Sequence, residues 1–181
     1  MTEDPIGVTV MEAARILATS RTSVLKMHAS GLLGDVPARG NRRMASVEAV
    51  QQLRQREEVD AAAPAAFVVR IDGPSPAEGW RQWAGWHASW DWETRAAGVR
   101  GDWVIAPAAP LAAGILVAVV GPFVAEAYAI TGLDTQYLDE TSGRRRSRFL
   151  VAADEELTAP FTGRRWTIGA GWTTAVVGGQ S

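Results

Sequence analysis

Two groups of residues in this 181-residue chain have types and spacing suited to chemistry. The first is Arg21, Thr22, Ser23 and Lys26, followed by Arg39, Asn41, Arg42 and Arg43. An arginine fork can make two parallel hydrogen bonds to guanine, and Ser or Thr hydroxyls reach bases or phosphates. Clustered arginines neutralise a phosphate backbone. The second group is Trp80, Trp83, Trp86 and Trp90, with the run Arg144, Arg145, Arg146 and Arg148. Indoles can cage a flat or cationic ligand, an extruded or modified base among them. Arg146 and Arg148 would share one face of a strand and could grip phosphate. Trp83, Trp86, Trp90, Arg146 and Arg148 are therefore candidates for a ligand site or a second nucleic-acid site. The plainer alternatives are a tryptophan stripe in the core and a solvated strand end paired with Asp139 and Glu140.

Composition narrows the remaining chemistry. The chain has no cysteine and only His28 and His87, which excludes disulfides, thiolate metal sites and thiol nucleophiles. No phosphate loop, nucleophile elbow, zinc-protease motif or dinucleotide fingerprint occurs, so no cofactor, resident metal or catalytic residue is expected. Asp91 with Glu93, and Asp154 with Glu155 and Glu156, read as surface acids rather than a catalytic pair. The net charge is -2, yet Pro5 to Arg56 holds eight basic and three acidic side chains, a local +5. From Ala61 onward ten arginines face twelve acids, and all eight tryptophans lie there. A basic head of residues 1–58, an alanine-rich linker of 59–66 and a second domain of 67–181 follow from that split.

The head must position the first group. Thr9-Val-Met-Glu12 reads as a capping box opening a helix with Val10, Ala13, Ala14 and Leu17 inward. Ser20 caps a second helix from Arg21 to about Ser30, which Gly31 ends in the left-handed conformation. Arg21, Thr22, Ser23 and Lys26 then point outward near its start. Gly40-Asn41 suits a hairpin turn with Arg39, Arg42 and Arg43 at its tip, and Ser46 caps a third helix carrying Val47, Val50 and Leu53.

These features resemble the excisionase/MerR-type winged helix-turn-helix module over residues ~8–56. The likeness rests on Glu12-Ala-Ala14, Ser20-Arg-Thr-Ser-Val24, Ser30-Gly-Leu32, Gly40-Asn-Arg-Arg43 and Ser46 to Leu53. Met44 departs from it, because wings of this family often carry an aromatic residue there. The resemblance implies that the second helix enters the major groove of double-stranded DNA while the wing grips the adjacent backbone. Arg21, Thr22, Ser23 and Lys26 would serve the groove, and Arg39, Asn41, Arg42 and Arg43 the wing. One such module makes few base contacts, so a homodimer or a second DNA-contacting element is expected. No heptad follows Leu53, which leaves dimerisation to the second domain.

That domain reads as an α+β unit, a mostly antiparallel sheet or small barrel with a Trp-rich helix packed against it. Strands are expected at Phe67–Ile71, Gly101–Ala106, Ile115–Val120, Val124–Thr131, Arg146–Ala152, Trp166–Ile168 and Thr173–Val177, with turns at Pro107–Pro110 and Gly169–Gly171. The spacing of Trp80, Trp83, Trp86 and Trp90 predicts a helix from Ser75 or Pro76. The uncharged run Trp103–Ala125 is broken by Pro107, Pro110, Gly114, Gly121 and Pro122, so it reads as buried strands rather than a membrane span. The N-terminal MTEDPIGVTV lacks the features of a signal peptide, and a cytoplasmic, nucleoid-associated protein is expected. By pattern, Gly101-Asp-Trp-Val-Ile105 and the later arginine-rich strand resemble PUA/EVE-like barrels, which read modified nucleobases. Three functions follow: a transcription regulator whose second domain dimerises or senses a ligand, an excisionase-like recombination accessory protein, or a reader of modified DNA.

Overall fold

A computed structural model describes residues 7–167 and 173–178. Strand β1 (Gly7–Thr9) runs directly into helix α1 (Val10–Ile16) through the expected capping box. The Thr9 amide donates to Glu12 Oε2 at 2.8 Å, and the Glu12 amide donates to Thr9 Oγ1 at 3.3 Å. Helix α2 (Arg21–Ala29) starts at Ser20, whose Oγ accepts from the Ser23 amide at 3.0 Å. Gly31 closes it at φ +75°. Gly40 turns at φ +60°, and Arg39 and Arg42 exchange backbone hydrogen bonds of 3.1 Å across that turn. Strand β2 (Met44–Ser46) pairs antiparallel with β1 and leads through the Ser46 cap into α3 (Val47–Arg54). Ala13, Leu17, Val24, Met27, Leu33, Val50 and Leu53 are buried between these elements.

Strand β3 (Ala66–Arg70) begins the larger sheet. A small hairpin follows, β4 (Ser75–Pro76) with β5 (Trp83–Ala84), and then α4 (Trp92–Val99) and α5 (Ala108–Ala113). Strands β6 (Ile115–Val120), β7 (Phe123–Asp139) and β8 (Arg144–Ala152) form a meander, α6 (Glu155–Thr158) follows, and β9 (Thr174–Val177) returns to β3. The strand order is β8-β7-β6-β3-β9. Register shifts along β7, between Ile130 and Gly132 and between Leu133 and Thr135, bend the long hairpin and curl the sheet into a half-barrel.

Period-two alternation, with both faces covered, explains why β6 is apolar throughout and β3 is apolar up to Arg70. Phe67, Val69, Leu116, Ala118 and Val120 belong to a cluster on one face, and Ala66, Val68, Ile115, Val117 and Val119 to a cluster on the other. The first cluster continues without a break into Val24, Met27 and Leu17 of the N-terminal helices. The segment 59–66 is tied down as well: the Val59 amide donates to the Arg165 carbonyl at 2.8 Å, and Val59 and Ala63 pack on the second cluster. None of the helices among the described residues is long and apolar enough to cross a membrane.

The structure is α+β, as the sequence reading expected, with five differences in its second part. Three of the four strand pairings are antiparallel, as expected, but β3 and β6 pair parallel and make the sheet mixed. Two strands buried on both faces carry no alternation that reveals the direction of their partners. The Trp-rich helix does not form: Trp80, Trp83, Trp86 and Trp90 lie in a hairpin and its turns, and Trp92 alone enters α4. Gly79 and Gly85 take φ of +86° and +91°, so a helix through them is broken despite the helical spacing of the indoles. Gly101–Ala106 contributes only a bridge, Trp103 to Ser147, instead of a strand. Pro107–Pro110 opens α5 rather than a simple turn, since a proline in a first helical turn forfeits no helical hydrogen bond. Trp166 and Thr167 are not in a strand, and Ile168 and the Gly169–Gly171 turn lie outside the described residues.

Candidate nucleic-acid interface

Helix α2 presents its sequence-selected residues unevenly. Arg21 and Thr22 are exposed, while Ser23 is half-buried. The Ser23 hydroxyl accepts a 3.0 Å hydrogen bond from Ser20 Oγ within the cap, and a Cβ at Gly121 would sit 3.3 Å from the Ser23 Cβ. Ser23 therefore belongs to the seam between α2 and the β6–β7 turn. Lys26 turns toward the sheet as well: its Nζ lies 2.7 Å from Asp72 Oδ1.

Arg21 shares a hollow with the 39–43 turn. With Leu25, Asn41, Arg42 and Arg43, and the start of α1, it lines an open hollow of about 710 Å³. Arg39 is exposed and holds the turn through its backbone without lining this hollow. Three arginines and an asparagine, from two elements far apart in sequence, thus share one outward concavity. On the other flank of α2, Thr22, Ser23 and Lys26 line a smaller hollow with Arg70, Gly121 and Thr167.

The seam that orients α2 is extensive. The Ala88 amide donates to the Ser30 carbonyl at 2.9 Å, and a Cβ at Gly31 would meet the His87 ring at 3.0 Å. A Cβ at Gly73 would collide with Ala29 at 2.7 Å, so glycine is needed for β3 to end against the helix. Beyond α3, Arg56 donates to the Val124 carbonyl at 2.8 Å and Glu57 pairs with Arg164. Helix and sheet meet as one packed interface.

The tryptophans do not form one cage. Trp83 and Trp90 are neighbours, with ring centroids 6.1 Å apart, and His87 lies 6.2 Å from Trp90. Trp86 is buried and donates from Nε1 to Glu126 Oε2 at 2.8 Å. The same carboxylate accepts from Arg95 at 2.8 and 3.0 Å and from the Tyr128 hydroxyl at 2.6 Å. Burial pushes the Tyr128 phenol far above its ordinary range, and the Glu126 charge adds to the effect. This network is a satisfied polar core, which Trp86 helps to close.

Trp80, Arg148 and Asp102 make a second constellation, which comes from three segments. The Arg148 guanidinium lies 3.9 Å from the Trp80 ring centroid, and those of Arg100 and Arg81 lie at 4.5 and 5.1 Å. Asp102 adopts φ +53°, a left-handed conformation that aspartate tolerates better than most residues. Its carboxylate accepts from Trp80 Nε1 at 2.9 Å and from Arg148 at 3.1 Å, and its carbonyl accepts from Arg146 at 2.9 Å. Burial acts to raise the Asp102 carboxyl, but those hydrogen bonds and the neighbouring guanidinium charges outweigh it and hold it below the usual range. Arg146 also donates to Asp139 Oδ2 at 2.7 Å. Arg146 and Arg148 do share a side of β8, and both are drawn to Asp102.

Beside this constellation opens a cleft of about 650 Å³ whose charged lining is Arg70, Arg81, Arg144, Arg146, Asp72 and Asp102. Sequence reading missed Arg70, Arg81, Asp72 and Asp102 as site residues. They are scattered over three stretches, at Arg70 and Asp72, at Arg81 and at Asp102, and only the fold collects them. Compared with protein-family models, curated proteins and solved structures, the chain matches none.

Proposed function

We propose that this chain binds double-stranded DNA through α2 and the 39–43 turn, as a winged helix-turn-helix protein that regulates transcription. The observation that carries the reading is the shared hollow of Arg21, Asn41, Arg42 and Arg43. A helix end and a basic turn flanking one concavity can contact base edges and the neighbouring backbone together. Arg21 and Thr22, at the N-terminal end of α2, are the residues for the groove, with Lys26 behind them. Arg39, Arg42 and Arg43 are the residues for phosphate. The sheet acts as the sensing or pairing half, because its packing against Ser23, Lys26 and Ala29 ties the pose of α2 to the state of β3.

Selection of bound duplexes from a randomised pool tests this reading directly. The wild-type chain enriches a defined motif, and Arg21→Ala with Lys26→Ala abolishes the enrichment. Arg42→Ala with Arg43→Ala weakens binding to every duplex and lowers the salt slope by about 2. Selection that returns no motif, together with both double variants binding like the wild type, removes the assignment.

A further inference from the structure

We propose that the arginine-lined cleft between the β4–β5 hairpin and the start of β8 is a binding site for a phosphate-bearing anion. Four guanidinium side chains and two carboxylates line it, an excess of cationic charge within one concavity. Both carboxylates are already engaged: Asp72 with Lys26, and Asp102 with Trp80, Arg148 and Arg81. Asp102 thus offsets Arg81 within the cleft, and neither carboxylate pairs with Arg144 at its mouth. Arg144 is exposed there and has no acidic partner among the described residues.

The inner wall is held in place by protein contacts. Arg81 donates to the Gly98 carbonyl at 3.0 Å, and Arg146 spans Asp139 and the Asp102 carbonyl. Guanidinium groups anchored in this way lose little freedom on binding, and their planar forks match the several oxygens of a phosphate better than a single carboxylate. A volume of about 650 Å³ falls within the range of ligand clefts and admits a group as large as a nucleotide.

The phosphate has two conceivable sources. Arg70 lines both this cleft and the hollow that holds Thr22 and Lys26 of α2. A DNA backbone lying across α2 would therefore reach the cleft, and this source rests on the proposed function. A free phosphorylated small molecule is the other source and does not depend on it.

Arg144→Gln and Arg145→Gln form the test pair. Both remove one charge at the same strand end, but Arg145 does not line the cleft. Sodium pyrophosphate is titrated into each full-length chain by calorimetry at low salt, and duplex binding is measured across a salt series. Folding is checked by thermal melts of both variants. A tenfold loss of pyrophosphate affinity in Arg144→Gln, with Arg145→Gln within twofold of wild type, establishes the anion site. A salt slope for duplex binding lowered by about 1 in Arg144→Gln alone assigns the phosphate to DNA. An unchanged slope beside lost pyrophosphate affinity assigns it to a free ligand. If the two variants behave alike in both assays, the site does not exist. Should the wild-type chain bind no duplex, the DNA reading fails and the pyrophosphate titration alone decides the cleft.

Discussion

The ammonium of Lys26 on α2 lies 2.7 Å from the carboxylate of Asp72, just beyond the end of β3. A cation selected from the sequence for DNA is thus held by the half of the molecule that carries the sheet. The two side chains are 45% and 64% exposed, so water screens the pair and its contribution to folding is small, below about 1 kcal/mol.

Asp72→Asn separates those two effects. It leaves the melting temperature nearly unchanged while removing a negative charge from beside the helix. Duplex affinity rises several-fold, measured by fluorescence anisotropy at low salt, and the gain fades as salt is added. An affinity equal to wild type would mean that Lys26 does not reach DNA.

The Glu126 network makes the opposite prediction. Glu126→Ala leaves Arg95, Trp86 and Tyr128 without their shared acceptor in a largely enclosed site. A loss of about 3 kcal/mol in urea unfolding is expected, with a shift in tryptophan emission as Trp86 is wetted. A loss within about 0.5 kcal/mol, the scale of an ordinary surface substitution, would show that water replaces the carboxylate freely.

Acid dependence follows from Asp139. Hydrogen bonds from Ser142, and then from Arg146, hold its carboxyl at about 2, below the ordinary aspartate value of about 3.9. The unfolded chain therefore takes up the proton first as pH falls. This contribution to stability is complete above about pH 4 and is lost progressively as pH falls through about 2. Urea midpoints measured across this window should fall less steeply in Asp139→Asn than in the wild type.

Gly98 inverts a familiar rule. Replacing a glycine inside a helix with alanine ordinarily stabilises by about 1 kcal/mol. In α4 an added Cβ would press into the Gly85 carbonyl oxygen, which is backbone and cannot swing aside. Gly98→Ala is expected to destabilise by about 2 kcal/mol or more, read from thermal melts. A stabilised variant would show that the β4–β5 hairpin sits loosely on α4.

The N-terminal elements were legible because their signals are local. Thr9, Ser20 and Ser46 each lie within three residues of the amide they cap, and Gly31 and Gly40 turn the chain where they stand. The tryptophan segment misled for the same reason. Spacings of three and four suit a helix, but they say nothing about Gly79 and Gly85, whose backbone angles forbid one. Strands β3 and β6 were both read correctly from their apolar residues, yet their parallel pairing was not, since burial on both faces erases direction.

By itself, then, the amino-acid order determined the capped helices, the basic turn and the positions of the buried strands. Those depend on contacts a few residues apart and on which side chains avoid water. Only the tertiary structure decided that Lys26 meets Asp72, that Trp86 closes on Glu126, and that Arg70, Arg81, Arg144 and Arg146 face one cleft. Each of those pairings joins distant segments whose separation is set by sheet order and curl, and no spacing along the chain encodes it.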